Sequence, residues 1–213
     1  MRQTQIFASL VWIVSTQMCF SHDAPTCSWD EGYSRAISAV SVETEGVDAE
    51  LARRLLQGGM WNWKQLSDYR AVRERVKGLT SRADTMARVE IGNANAGSYE
   101  VVWVIRLDHG VRVFADRQGD LEEVSLPLSA WDRLRGTFDK SDVWSLRSSA
   151  NLGVDDASTF YFSLCDHGRV AQFAVYGLPM ATQLAEGERT FAQSVARHRM
   201  VIEAVLNTVR SPE

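Results

Sequence analysis

The chain has 213 residues, of which 45% are hydrophobic and 23% charged, and its formal net charge is −4. This is enough apolar material for a core in one domain or a small pair, so disorder is not the default. The absence of a basic excess argues against a dedicated nucleic-acid binder, and no low-complexity run or acidic tail occurs.

Met1 to Gln5 carries Arg2, and Ile6 to Phe20 is apolar apart from Ser9, Ser15, Thr16 and Gln17, which is the pattern of a secretory signal peptide. The run is shorter than the ~20 residues of a membrane-spanning helix, so the expectation is residues 1–21 removed and no transmembrane anchor in the mature chain. Cleavage after Ser21 puts Cys19 and Ser21 at the small-residue positions and leaves Cys27 and Cys165. An even pair suits an oxidising compartment, and a Cys27–Cys165 disulfide would tie the mature N-terminus to the later strands. Two unrelated buried thiols are the alternative.

Residues 22–36 read as loop. Asp48 caps a helix with Leu51, Leu55 and Leu56 on one face, ended by Gly58-Gly59. Trp61 and Trp63 share one side of an extended segment. Tyr69 to Val76 is read as a strand, although Arg70, Arg73 and Arg75 interrupt its apolar period. Met86 to Ile91 alternates and is a better strand, and Tyr99, Val101, Trp103, Ile105 and Leu107 line one face of the next. Asp108-His109-Gly110 turns it into Val111 to Ala115. Leu121 to Leu126 alternates again, Pro127 stops it, and Ser129 is expected to cap a helix with Trp131, Leu134 and Phe138. Ser148 to Ala157 is polar enough for an exposed loop.

Ser158 to Gly177 has the strongest hairpin pattern. Phe160, Phe162 and Leu164 on one arm and Ala171, Phe173 and Val175 on the other alternate with a second largely apolar set, so both faces call for cover and this hairpin is expected as the central pair of the sheet. Its turn is again Asp166-His167-Gly168, expected to be a short bulged turn with Gly168 at positive φ. Hairpins 99–115 and 158–177 therefore share a tripeptide 58 positions apart, a weak sign of repetition. From Glu188 to Val209, Phe191, Val195, His198, Ile202, Val205 and Val209 follow helical steps, widened by Val201 and Leu206. The whole predicts one α+β domain over 22–213. An antiparallel sheet of about six to eight strands is covered by a long C-terminal helix and two shorter helices.

The chemistry-bearing residues are few. His198 sits in an apolar stripe, where a core histidine bonded to a carbonyl is the stronger reading than proton transfer. His109 and His167 crown turns, beside Asp108 and Asp166. They lack the spacing of a metal motif, and no metal or cofactor is expected. Asp155 and Asp156 are adjacent in a loop and suit a solvated acidic pair better than an acid–base couple. No G-x-S-x-G, Walker or dinucleotide fingerprint occurs. Seven tryptophans, and the basic stretch Arg70, Arg73, Arg75, Lys77 and Arg82, offer binding surface instead. The leading expectation is a secreted protein, periplasmic in a two-membrane bacterium, that recognises a protein or glycan of the cell envelope without catalysis, as an inhibitor or immunity protein would. Trp61, Trp63, Arg70, Arg73 and Arg75 are its candidate binding residues. The alternative is a small envelope hydrolase using a His/Asp pair from His198, His167, His109, Asp155 and Asp156.

Overall fold

The alternation that begins at Met86 becomes the middle strand of a sheet. The computed structural model describes residues 85–93, 98–150, 157–179 and 186–210, together with Val76, Leu79 and Ala83. Its strands are β1 (Thr85–Asn93), β2 (Ser98–Leu107), β3 (Gly110–Arg117), β4 (Asp120–Leu126), β5 (Ser149–Ala150), β6 (Thr159–Asp166) and β7 (Arg169–Tyr176). They form one seven-stranded sheet in the order β4-β3-β2-β1-β6-β7-β5, antiparallel except where β5 meets β7. Three helices accompany them: α1 (Leu128–Lys140), α2 (Glu186–Ser194) and α3 (Ala196–Arg210), with a 3₁₀ turn over Val143–Ser145. The protein is thus α+β with a mostly antiparallel sheet. The centre is β1, bonded on one edge to β2 and on the other to β6, rather than the 158–177 hairpin.

The two-residue period divides the sheet into two buried faces. Ala87, Val89, Val104, Phe162 and Phe173 face the layer made by α1 and α3. Met86, Trp103, Ile105 and Phe114 form a second cluster on the other face, with Val76, Leu79 and Ala83. The stripe from Tyr99 to Leu107 belongs to that second face. α3 buries His198, Val201, Ile202, Val205, Leu206 and Val209. It runs diagonally, from Phe173 of β7, against which His198 packs, to Glu100 of β2, which Arg210 reaches at 3.7 Å. Five rings link the layers edge to edge or stacked: Trp131 to Phe138, Phe138 to Phe162, Phe162 to Phe173 and Phe173 to His198. Arg197 ties α3 to the end of α1 by donating to Ser141 O at 2.7 Å, Asp142 O at 3.1 Å and Ser145 Oγ at 2.8 Å.

Several local expectations are corrected. The C-terminal helix is broken at Val195 into α2 and α3. Ser194 Oγ donates to Phe191 O at 2.8 Å, the same carbonyl that accepts from Val195 N at 3.0 Å, and such back-bonding bends helices. Pro127, not Ser129, is the N-cap of α1, and it has no side-chain cap bond. Val76, at the end of the stretch read as a strand, is helical, and so is Leu79. Ser148 to Ala157 is not simply a loop: Ser148 is buried, its Oγ accepts from Ala174 N at 3.0 Å, and Ser149–Ala150 adds the edge strand β5. The helix expected after Asp48 lies outside the described residues.

The shared tripeptide folds in two frames. Leu107 pairs with Gly110, so Asp108 and His109 make one turn, whereas Asp166 pairs with Arg169, so His167 and Gly168 make the other. The latter is a two-residue turn without a bulge, with φ of 48° at His167 and 79° at Gly168, the left-handed pair of a type I′ hairpin. No described helix is long and apolar enough to cross a membrane.

Phe162 is 2% exposed at the junction of three rings. Replacing it with Ala should cost about 3–5 kcal/mol and Phe162→Leu much less, read as shifts of the urea unfolding midpoint.

Candidate functional site

Thr85, the first residue of β1, is register partner to Arg106 of β2 and to Asp166 of β6. The β2–β3 and β6–β7 turns therefore project from the same end of the sheet, about three strand spacings or roughly 14 Å apart. At the β6–β7 turn the side chains are held. Asp166 Oδ1 accepts from Thr85 Oγ1 at 3.1 Å and lies 2.7 Å from His167 Nδ1. A carboxylate oxygen accepts, so Nδ1 of His167 is the donor in this contact. The His167 side chain is 61% exposed. An oriented imidazole of this kind has two of the three parts of an acid–base relay; among the described residues no hydroxyl or thiol bonds to it. His109, on the neighbouring turn, is exposed.

Beside this turn, Arg169 opens β7 and lays its guanidinium 4.0 Å from the ring centroid of Trp144. Trp144 belongs to the 3₁₀ turn and packs by its other side against the helix-side core. Val170, 53% exposed, follows on the opposite face of β7. Trp144 is one of the seven tryptophans, but nothing in the sequence set it apart or pointed to Arg169 as its partner, because the two are joined only when β7 is laid against the segment that precedes β5.

The other candidates are dispersed. His198 is buried under β7, its Nε2 2.7 Å from Arg147 O and its ring edge-on to Phe173 at 4.9 Å. It is remote in role from the exposed turns. Cys165 is buried on β6 opposite Met86 and Val170. Trp61, Trp63, Arg70, Arg73, Arg75, Asp155, Asp156 and Cys27 lie outside the described residues. Among the described residues no three of His, Cys, Asp and Glu gather as metal ligands.

A charged pair that sequence reading passed over lies on the far face of β1. Arg88 Nε and Glu90 Oε1 are 2.8 Å apart with side chains 8% and 6% exposed. Tyr161 is Glu90's register partner on β6, and burial, reinforced by the Glu90 charge, holds its phenol protonated far above the ordinary range. This group is sealed in the interior and is structural.

Burial pulls the His198 imidazole below its ordinary value of 6.5; the bond to Arg147 O opposes this and the Arg197 charge adds to it. Nδ1 is buried without a partner, so a second ring proton has no acceptor. The folded state therefore binds fewer protons than the unfolded chain below 6.5, and this contribution, full above that value, is lost as pH falls through the depressed folded value. The unfolding midpoint should drop on acidification in the natural protein and drop less in His198→Gln, whose amide can donate to Arg147 O but does not titrate. An equal drop in both would remove His198 from the acid response. No protein-family model matches this chain, and no curated protein is recognisably similar to it.

Proposed function

We propose that the protein is a non-catalytic binding protein, secreted or periplasmic, that recognises a protein or glycan of the cell envelope through the turn end of its sheet. The observation that carries this reading is the Trp144–Arg169 stack, an aromatic of the 3₁₀ turn and a cation of the β6–β7 hairpin held together at the surface. Trp and Arg are the side chains that most often carry binding energy, because they offer large contact area and fixed donors at small entropic cost. Asp166 and His167 beside it add donors and acceptors whose positions are fixed by Thr85. The signal-like first 21 residues support the location.

A second reading is supported by the 2.7 Å bond between Asp166 and His167, the pairing a small hydrolase would need. The two readings separate cleanly. Immobilised protein incubated with envelope extract should retain a stoichiometric partner that Trp144→Ala or Arg169→Gln loses and His167→Ala keeps, with folding of each variant checked by circular dichroism. Hydrolysis of envelope esters or glycans, abolished by His167→Ala and kept by Arg169→Gln, would favour the enzyme. Capture indifferent to Trp144 and Arg169 would overturn the binding site as drawn.

The Cys27–Cys165 disulfide belongs to the same proposal, supported by the cysteine count once Cys19 is removed with the leader. A thiol titration of the mature, denatured protein should then find no free thiol; two free thiols would remove both the bond and the argument for an oxidising compartment.

A further inference from the structure

Arg169 and Asp166 are register partners flanking the His167-Gly168 turn, and by the two-residue period both lie on the helix-side face. Opposite charges directly across two strands ordinarily pair. Here they are diverted. Asp166 Oδ1 is engaged by Thr85 Oγ1 and His167 Nδ1, while the Arg169 guanidinium lies over Trp144. Among the described residues no carboxylate stands within ion-pair distance of Arg169. A guanidinium held 4.0 Å from a ring centroid still has N–H donors to offer beyond the ring. Such a fork fits the two oxygens of a carboxylate or phosphate.

We propose that the Trp144–Arg169 stack is an anion-reading contact whose ligand is an acidic glycan, a sugar chain bearing uronic-acid carboxylates. This rests on the binding reading above and names its ligand class. A folded acidic protein fits less well, because the fully buried centre of a protein interface is more apolar than the surface around it. The exposed large apolar side chains among the described residues, Leu128, Val170 and Met200, stand on three separate elements. Around Arg169 the turn instead offers short polar groups, Asp166 and His167, able to meet sugar hydroxyls.

The test is isothermal titration of the mature protein with three probes: an alginate oligosaccharide, a neutral cello-oligosaccharide of equal length, and oligoglutamate. Alginate should bind, cello-oligosaccharide should not, and oligoglutamate should be weaker than alginate. Arg169→Gln should weaken alginate by about tenfold or more, with Arg169→Lys intermediate because it keeps the charge and loses the fork. Raised salt should weaken the contact further. Equal binding of the neutral sugar, unchanged in Arg169→Gln, would overturn the anionic ligand while leaving glycan binding standing. Oligoglutamate binding as tightly as alginate, with the same dependence on Arg169, would overturn the glycan in favour of an acidic peptide. Binding of none of the probes by folded protein would overturn this inference, and the binding reading would then be judged by partner capture alone.

Discussion

β1 is hydrogen-bonded along both edges and covered on both faces, and most of the molecule follows from that constraint. Such a strand has no solvated side on which to place a charge, yet Arg88 and Glu90 sit two residues apart on one of its faces. Withdrawing either from water alone costs several kcal/mol, which is tolerable only because each meets an opposite charge in the low-dielectric interior. A shift of β1 by one residue against its neighbours would turn both charges onto the face packed under α3, among Val201, Ile202 and Val205. The pair adds little net stability, but it makes the wrong register far worse than the right one.

With β1 fixed in register, the positions of both flanking hairpins are fixed as well. Thr85 can reach Asp166 only because the first residue of β1 pairs with the last of β6. That bond holds Asp166 Oδ1 toward Thr85, while the Arg169 guanidinium lies over Trp144. His167 adopts φ of 48°, a conformation that costs a residue with a Cβ about 1 kcal/mol or more, and its ring bond to Asp166 helps to offset this. The turn end is thus a rigid platform whose side-chain geometry is inherited from the interior.

How much of this is legible in the sequence depends on how local the cause is. Period-two alternation from Met86 to Ile91, Tyr99 to Leu107 and Phe160 to Val175 is a local signal; the first two stretches are strands and the third is the β6–β7 hairpin. The apolar stripe of the terminal helix is equally local, and its buried residues are those the spacing selected. β5 escaped because two residues bonded to β7, anchored by one serine hydroxyl, leave no pattern to read. The centrality of β1 escaped for another reason: its apolar set is interrupted by Arg88 and Glu90, which on alternation alone belong to a solvated face. The Trp144–Arg169 contact joins residues brought together by tertiary packing, and no spacing rule could have paired them.

The two Asp-His-Gly turns show why composition alone misleads at a functional surface. Hairpin frame is set by the strands that enter the turn. Trp103 must face Phe114 in one hairpin and Phe162 must face Phe173 in the other. Counting outward from those buried pairs leaves Asp108 and His109 as the loop in the first and His167 and Gly168 in the second. The same three residues therefore place a histidine second in one turn and first in the other. Of the two histidines only His167 has left-handed φ, and only there is the carboxylate of the preceding residue held 2.7 Å from the ring. His109 and His167 are thus not equivalent groups, and a search for function that treated them as a matched pair would look for a shared ligand between the turns. The asymmetry directs it instead to the β6–β7 turn, where Asp166, His167, Arg169 and Trp144 are already organised by their neighbours.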